Sequence, residues 1–249
     1  MVVMIKYVSK AAGAALILSY MVGSASAADE LFSGEIPGNF EGSITVGTDY
    51  IFRGISQTSE KPTLQAGVTW SHPTGLYAGF WGSNVDYADG DESSTEMDLF
   101  LGYSSNIGGL TYDFGFIQYF YPGTDSSMKY DFSEFMLGLS YDFDYFSAGA
   151  SVNYSPEYWG GSGEAFYTAA SFSVPLTHGI SLDSGVGYQT MQNPAGYGLG
   201  NDYGEWHIGL TIPVKNVDIN VKYTDTDFSQ SECGEICDAR VVASLSYTF

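Results

Sequence analysis

The feature that most constrains this chain is a period of two. From Phe40 onward, apolar or aromatic residues hold one parity while Gly, Ser, Thr, Asn or a charge holds the other, the pattern of strands with two unlike faces. The last ladder shows it plainly: Val241, Ala243, Leu245, Tyr247 and Phe249 alternate with Val242, Ser244, Ser246 and Thr248. Ile44, Val46, Tyr50 and Phe52 open the series, ten ladders such as Leu64, Ala66, Val68, Trp70 and Met97, Leu99, Leu101, Tyr103 follow, and a looser one near Tyr77 and Tyr87 is among the twelve. No helical pattern competes.

The connections alternate in length. Short turns fall at residues 71–75, 105–109, 142–145, 175–179 and 213–216, and longer segments lie at 54–62, 88–95, 122–129, 155–163, 190–204 and 224–238. Short turns on one side, long loops on the other and an even number of strands of about ten residues describe a transmembrane barrel. A soluble β-sandwich also alternates, but its polar face meets water and carries many charges. Here that face is mostly Gly, Ser, Thr and Asn with isolated charges, and only 15% of the chain is charged against about 25% in an ordinary domain. Aromatic residues also gather at the strand ends, with Trp70, Tyr103, Tyr141, Tyr247 and Phe249 towards the short turns and Tyr50, Phe52, Tyr154, Phe166, Tyr188, Trp206 and Tyr223 towards the long loops. Two belts around an aliphatic waist suit a bilayer. The expected fold is an all-β, antiparallel, up-and-down transmembrane barrel of about twelve strands, with short periplasmic turns and long extracellular loops.

The first residues read as an address. Lys6 and Lys10 precede an apolar run over residues 11–22, and Ala25-Ser26-Ala27 follows, the layout of a cleaved secretory signal over residues 1–27. The run is too short for a spanning anchor, which takes about 20 residues. Residues 28–39 are then a short periplasmic segment, residues 40–249 the barrel, and the destination the cell outer membrane. Cleavage leaves six basic against 29 acidic residues, a net charge of −23, which disfavours nucleic acid as a partner. Seventeen of the 29 acids lie in or beside the long segments. Such a mouth attracts cations over a Debye length of about 10 Å at 0.1 M salt. Asp89, Asp91 and Glu92 are weak calcium candidates without the spacing of a dedicated loop, and cation bridging to lipopolysaccharide is a further reading. Solvated loops with no ligand are the bland alternative.

If the apolar parity faces lipid, the other parity places polar residues in the lumen. Asp98, Asp113, Glu134, Asn153, Asp183, Glu205, His207, Asp218, Asn220 and Lys222 point inward on this reading. Arg53 follows an outward Phe52 and Arg240 precedes an outward Val241, so both arginines, the only two in the chain, are expected inside. A closed barrel pairs its first strand with its last, which makes them neighbours near the outer mouth. Set against Asp98, Glu134 and Glu205, they form either a transverse field in a water-filled constriction or an interior salt-bridge network that plugs a narrow barrel. Inward glycines such as Gly67, Gly115, Gly185, Gly187 and Gly209 leave space for water and favour an open lumen.

The segment Tyr50-Ile51-Phe52-Arg53-Gly54-Ile55-Ser56-Gln57, followed by Lys61-Pro62 and Gln65, resembles the opening of the TorF-type porins, a proteobacterial family of small outer-membrane proteins. Ser83-Asn84-Val85, Tyr119-Phe120-Tyr121-Pro122-Gly123, Tyr154-Ser155-Pro156 and the ending from Asp238-Ala239-Arg240 to Phe249 extend the resemblance over nearly the whole mature chain. It implies a signal-bearing outer-membrane barrel with a pore function, and it supplies neither a defined solute nor catalytic residues. Phe249 is also similar to the terminal aromatic by which outer-membrane barrels are handed to the assembly machinery.

Cys233 and Cys237 are the only thiols of an exported chain, and a small disulfide stiffening the last loop is expected. A metal centre is not, since no histidine stands near them, and no cofactor is implied. His72 and His178 lie in short turns, His207 stands alone on a strand, and the sequence carries no nucleophile elbow, metal-binding His-Glu-x-x-His or phosphate loop. A pore for small solutes, cationic or neutral, is therefore preferred to an enzyme, with a closed barrel of structural, surface-binding or adhesive role as the alternative. Outer-membrane lipid and lipopolysaccharide are the remaining expected partners.

Overall fold

A computed structural model describes residues 37–87, 93–199 and 201–249. The signal, most of the segment at 28–39, and Asp89, Asp91 and Glu92 lie outside the described residues. Fourteen strands follow one another: β1 (Asn39–Gly47), β2 (Ile51–Phe52), β3 (Ile55–Ser56), β4 (Thr63–Ser71), β5 (Leu76–Asn84), β6 (Thr95–Ile107), β7 (Leu110–Phe120), β8 (Phe132–Asp142), β9 (Ser147–Tyr158), β10 (Gly163–Pro175), β11 (Ser181–Met191), β12 (Tyr203–Val214), β13 (Val217–Thr226) and β14 (Arg240–Thr248). Twelve of them close into one antiparallel barrel, each paired with its sequence neighbour, while β2 and β3 form a separate two-stranded sheet. The seam pairs Ile44 with Tyr247 and Val46 with Leu245 on one side of β1, and Ile44 with Ala66 on the other. Gly42 and Phe249 exchange backbone hydrogen bonds of 2.8 and 3.0 Å and so end the seam without a free edge.

Burial is inverted relative to a water-soluble domain. Val241 (65%) and Leu101 (58%) are exposed on the outer face, together with Leu64, Leu99, Phe135, Leu137, Val186 and Ile208. Their inward neighbours Asp98, Asp113, Glu134 and Glu205 are buried. A continuous apolar belt this wide is stable only against an apolar medium, since monomeric soluble proteins rarely expose patches beyond a few hundred Å². Trp206, Tyr188, Tyr223, Tyr141, Tyr247 and Phe249 are exposed towards the two ends of this belt. No helix among the described residues is long and apolar enough to cross a membrane.

One expectation fails in the first ladder, and the facing of the looser third one is resolved. The first barrel strand ends at Gly47, and Tyr50 and Phe52 turn into the lumen, where Tyr50 is 3% exposed. The cause is local chemistry. Asp49 accepts hydrogen bonds from the hydroxyls of Ser56 and Thr58, both 2.7 Å, and the amide of Gln57 donates to the carbonyl of Tyr50 at 2.7 Å, closing a hairpin over residues 49–58. Its turn needs left-handed backbone at Arg53 (φ 49°) and Gly54 (φ 81°), the second being the conformation glycine takes without cost. In β5 the inward parity is that of Tyr77, whose hydroxyl donates to Asp113 Oδ1 at 2.8 Å.

Candidate functional site

The hairpin sets the geometry of the interior. Its root joins β1 to β4, which are neighbours in the wall, and its tip reaches β8, β9, β10 and β11 on the opposite side of the ring. It is therefore a strut across the full diameter of the barrel near the long-loop end. Tyr50 packs edge-on to Trp81 at 5.4 Å and donates to Glu96 Oε1 at 3.3 Å on one flank, and Phe52 meets Tyr119 at 6.1 Å. On the other flank a Cβ on Gly54 would approach Glu205 Cβ at 2.8 Å and Thr226 Cγ2 at 2.6 Å, so only a glycine fits against β12 and β13.

At the tip, Arg53 is 4% exposed and forms a buried ion pair with Glu134 (1%), Nη2 to Oε2, at 2.6 Å. Nη1 donates to Gln189 Oε1 at 2.7 Å and, more weakly, to the Tyr158 hydroxyl at 3.5 Å. The guanidinium carbon lies 4.2 Å from the Tyr167 ring centroid and 4.7 Å from that of Phe52, cation–π distances that gain strength when water is excluded. Glu134 Oε2 also accepts from Asn153 Nδ2 at 3.1 Å and Tyr119 at 3.3 Å. Burial by itself favours neutral arginine, but the Glu134 carboxylate overrides it and holds the Arg53 pKa well above its ordinary value. Burial first, then the charges of Glu96 and Asp98, push the Tyr50 phenol well up, so it acts as a donor.

Arg240 is elsewhere. It pairs with Asp49 at 3.1 Å and Glu60 at 3.0 Å and donates to the carbonyls of Asp238 (3.0 Å) and Glu235. The expected pairing of the two arginines is thus corrected. The inward hairpin carries Arg53 to the far wall, and Arg240 stays at the seam, tying the hairpin root to the last strand through Asp49. Of the carboxylates set against the arginines on sequence grounds, only Glu134 meets one. Glu205 accepts from Tyr167 at 2.6 Å and lies 3.7 Å from His207 Nδ1. Asp183 accepts from Ser173, Ser181 and Thr211 at 2.5, 2.7 and 2.9 Å, and Asp98 shares the inward face of β6 with Glu96. Lys222 occupies the inward face of β13, mostly buried.

The inward glycines do not hold space for water. A Cβ on Gly185 would meet the His207 ring at 2.5 Å, one on Gly187 would meet Glu205 Oε1 at 2.6 Å and the Tyr167 hydroxyl, and one on Gly115 would meet Met136 and Tyr77 at 3.1 Å. These glycines let large side chains of adjacent strands lie flat across the wall. Along β4, β1, β14 and β13 the inward residues Thr69, Ser43, Thr45, Ser246, Ser244, Asn220 and Lys222 are polar and only partly buried, as are the inward Ser151, Ala169 and Ser171 of β9 and β10. At the long-loop end of the sector of β4, β1, β14 and β13, an open surface cavity of about 550 Å³ is walled by Asp49, Glu60, Glu235, Asp238 and Arg240 together with the exposed Thr48 and the outward-facing Val241. Outside the strut, an aromatic cluster of Tyr87, Tyr121, Tyr130 and Trp159 borders the long loops, with Tyr130 and Trp159 stacked at 4.1 Å. Cys233 and Cys237 are joined by a disulfide in the last long loop, and Cys237 is buried in the hydrophobic core that also holds Ile55 and Tyr203. Among the described residues, no group of three His, Cys, Asp or Glu side chains is arranged to hold a metal ion.

The model of one bacterial family, described as proteins of unknown function (Gcw_chp), matches residues 33–249. This chain belongs to the Gcw_chp family. No curated protein matches it at a significant level. Among solved structures it is similar to the NanC porin (TM-score 0.59, 10% identity, covering 84% of this chain and 98% of that one). It is likewise similar to the KdgM porin (TM-score 0.55, 7% identity, 84% and 99%) and to KdgM porin in complex with disordered oligogalacturonate (TM-score 0.51, 7% identity, 84% and 98%). The shared property is the porin-like barrel fold.

Proposed function

We propose that this Gcw_chp protein is an outer-membrane pore for small, cationic or neutral solutes, exported by the signal at residues 1–27 and delivered to barrel assembly through its terminal Phe249. The resemblance of residues 50–57 to the TorF-type porins and the porin-like fold support the class. One observation supports the reading: the mouth cavity of about 550 Å³ lies over the partly buried polar wall of β4, β1, β14 and β13, the sector proposed here as the solute route beside the strut. Asp49, Glu60, Glu235 and Asp238 outweigh Arg240 around that mouth, so cations are enriched there and anions repelled at low salt. This chemistry is opposite to what a polyanion such as the oligogalacturonate held by KdgM calls for.

The test is a reconstitution. Purified protein inserted into planar bilayers is expected to give reproducible conductance steps and a cation-selective reversal potential in a salt gradient, and Glu60→Gln with Glu235→Gln shifts that potential towards zero. Electrical silence from protein demonstrably folded and inserted would overturn the pore. It would leave the second reading, a closed barrel with a structural or surface-binding role, which the wall-to-wall strut itself favours.

A further inference from the structure

Apart from the Phe52 ring at 4.7 Å, the seat of Arg53 is built by the barrel wall and not by the hairpin. Glu134, Asn153, Tyr158, Tyr167 and Gln189 all stand on β8 to β11. Each acceptor is also held from behind. Asn153 and Tyr119 donate to the same Glu134 oxygen that receives Arg53, and Gln189 spends its amide hydrogens on the carbonyls of Thr190 (3.2 Å) and Phe166 (3.4 Å), which turns its oxygen towards Nη1. A planar cation is thus met by a carboxylate on one nitrogen, an amide oxygen on another, and an aromatic ring 4.2 Å from its central carbon. Two acceptors in fixed directions plus a stacking ring select a guanidinium over an ammonium, which offers no plane to stack. The ligand, by contrast, comes on a tether outside the barrel ladder, since β2 and β3 pair only with each other.

We infer that this seat is a binding site for guanidinium-bearing solutes, and that Arg53 fills it as an internal ligand that a solute of the same chemistry displaces. A tethered group has an effective concentration in the millimolar range or above, so the seat is occupied by the chain itself until the solute competes or the tip is removed. The inference deepens the pore reading in what it says of the solute, but the seat needs only the folded barrel.

The experiment uses full-length protein with Arg53→Ala, folded in detergent, and follows binding by calorimetry and thermal shift. The probes are methylguanidinium, methylammonium and tetramethylammonium chlorides at equal ionic strength and millimolar concentration. Saturable binding of methylguanidinium at least tenfold tighter than methylammonium, abolished by adding Glu134→Gln and at least tenfold weaker in the wild type, where tethered Arg53 competes, is the expected result. Equal responses to all three cations, or binding that survives Glu134→Gln, would overturn it. Should Arg53→Ala not fold, the wild type reports by competition. Methylguanidinium then speeds amide exchange in residues 50–58 while methylammonium does not, and no difference between them refutes the seat. Conductance is read separately: binding retained in a silent barrel sinks the pore and leaves the seat, whereas conductance without binding does the reverse.

Discussion

Glu134→Gln tests whether the strut is held by a buried charge or merely packed in place. The substitution keeps the shape of the side chain and removes the only carboxylate among the described residues within bonding distance of Arg53, whose partner distances are 2.6 Å to Glu134 and 2.7 Å to the neutral Gln189. Both ends of the pair are under 5% exposed, so solvent does not screen the loss, and breaking such a pair costs about 3–5 kcal/mol. At about 1.4 kcal/mol per tenfold, the docked strut loses on the order of 150- to 5,000-fold in its equilibrium with an undocked one. The wall does not share this cost, because β2 and β3 are outside its hydrogen-bond ladder. Native-state hydrogen exchange is the assay. The amides of Gln57 and Asp86, bonded to the carbonyls of Tyr50 and Gln57, are expected to lose protection by roughly a hundredfold or more, while wall amides of β8 keep theirs. Arg53→Met with Glu134→Leu removes both charges and recovers much of the loss, as a double-mutant cycle reads it. Unchanged protection of Gln57 and Asp86 in a folded Glu134→Gln protein would refute the reasoning.

Three further outcomes follow from other parts of the fold. Leu137→Arg, at the centre of the outward face of β8, should lower the folding free energy in lipid vesicles by roughly 2–4 kcal/mol, measured by denaturant titration. Tyr77→Phe removes the 2.8 Å donor to buried Asp113 and should cost about 1–3 kcal/mol in the same titration without changing strand content by circular dichroism. Gly187→Val, driven against Tyr167 and Glu205, should destabilise by about 1–3 kcal/mol and shift the near-ultraviolet signal of the lumenal tyrosines, whereas Gly108→Ala, in open space but at a left-handed φ of 64°, should cost about 1–2 kcal/mol of backbone strain and leave that signal unchanged.

The wall was legible in the sequence because a barrel strand has two unlike solvents on its two faces, and Val241 to Phe249 records both residue by residue. The strut was not, and the reason is physical. A short hairpin inside the lumen alternates as a wall strand does, so Tyr50 and Phe52 continue the parity of Ile44 and Val46 although they face protein on every side. The signals that separate the two were present: Gly47 and Asp49 interrupt the ladder, and Arg53-Gly54 sits as a turn between the short pairs Ile51-Phe52 and Ile55-Ser56. The inward glycines misled in a related way. Parity shows that Gly185 and Gly187 face the lumen, but the side chains that fill the space over them, His207 and Tyr167, belong to neighbouring strands and depend on register. Glu134 was placed inside correctly by parity, but nothing local to it announces Arg53, 81 residues earlier.

A ring of twelve strands has no interior skeleton of its own, and lipid presses on it from all sides, so its cross-section can ovalise as easily as it can stay round. The strut runs from the first hairpin of the wall to the strands diametrically across from it, and its root is tied through Asp49 and Arg240 to the strand that closes the ring. It works as a spoke: it spans one diameter, and its root is fastened to the strand that completes the ring. A sheet still open at the seam has no opposite side for Arg53 to reach, so closure and docking report on one another, and the finished roundness of the barrel is a property of the spoke as much as of the rim.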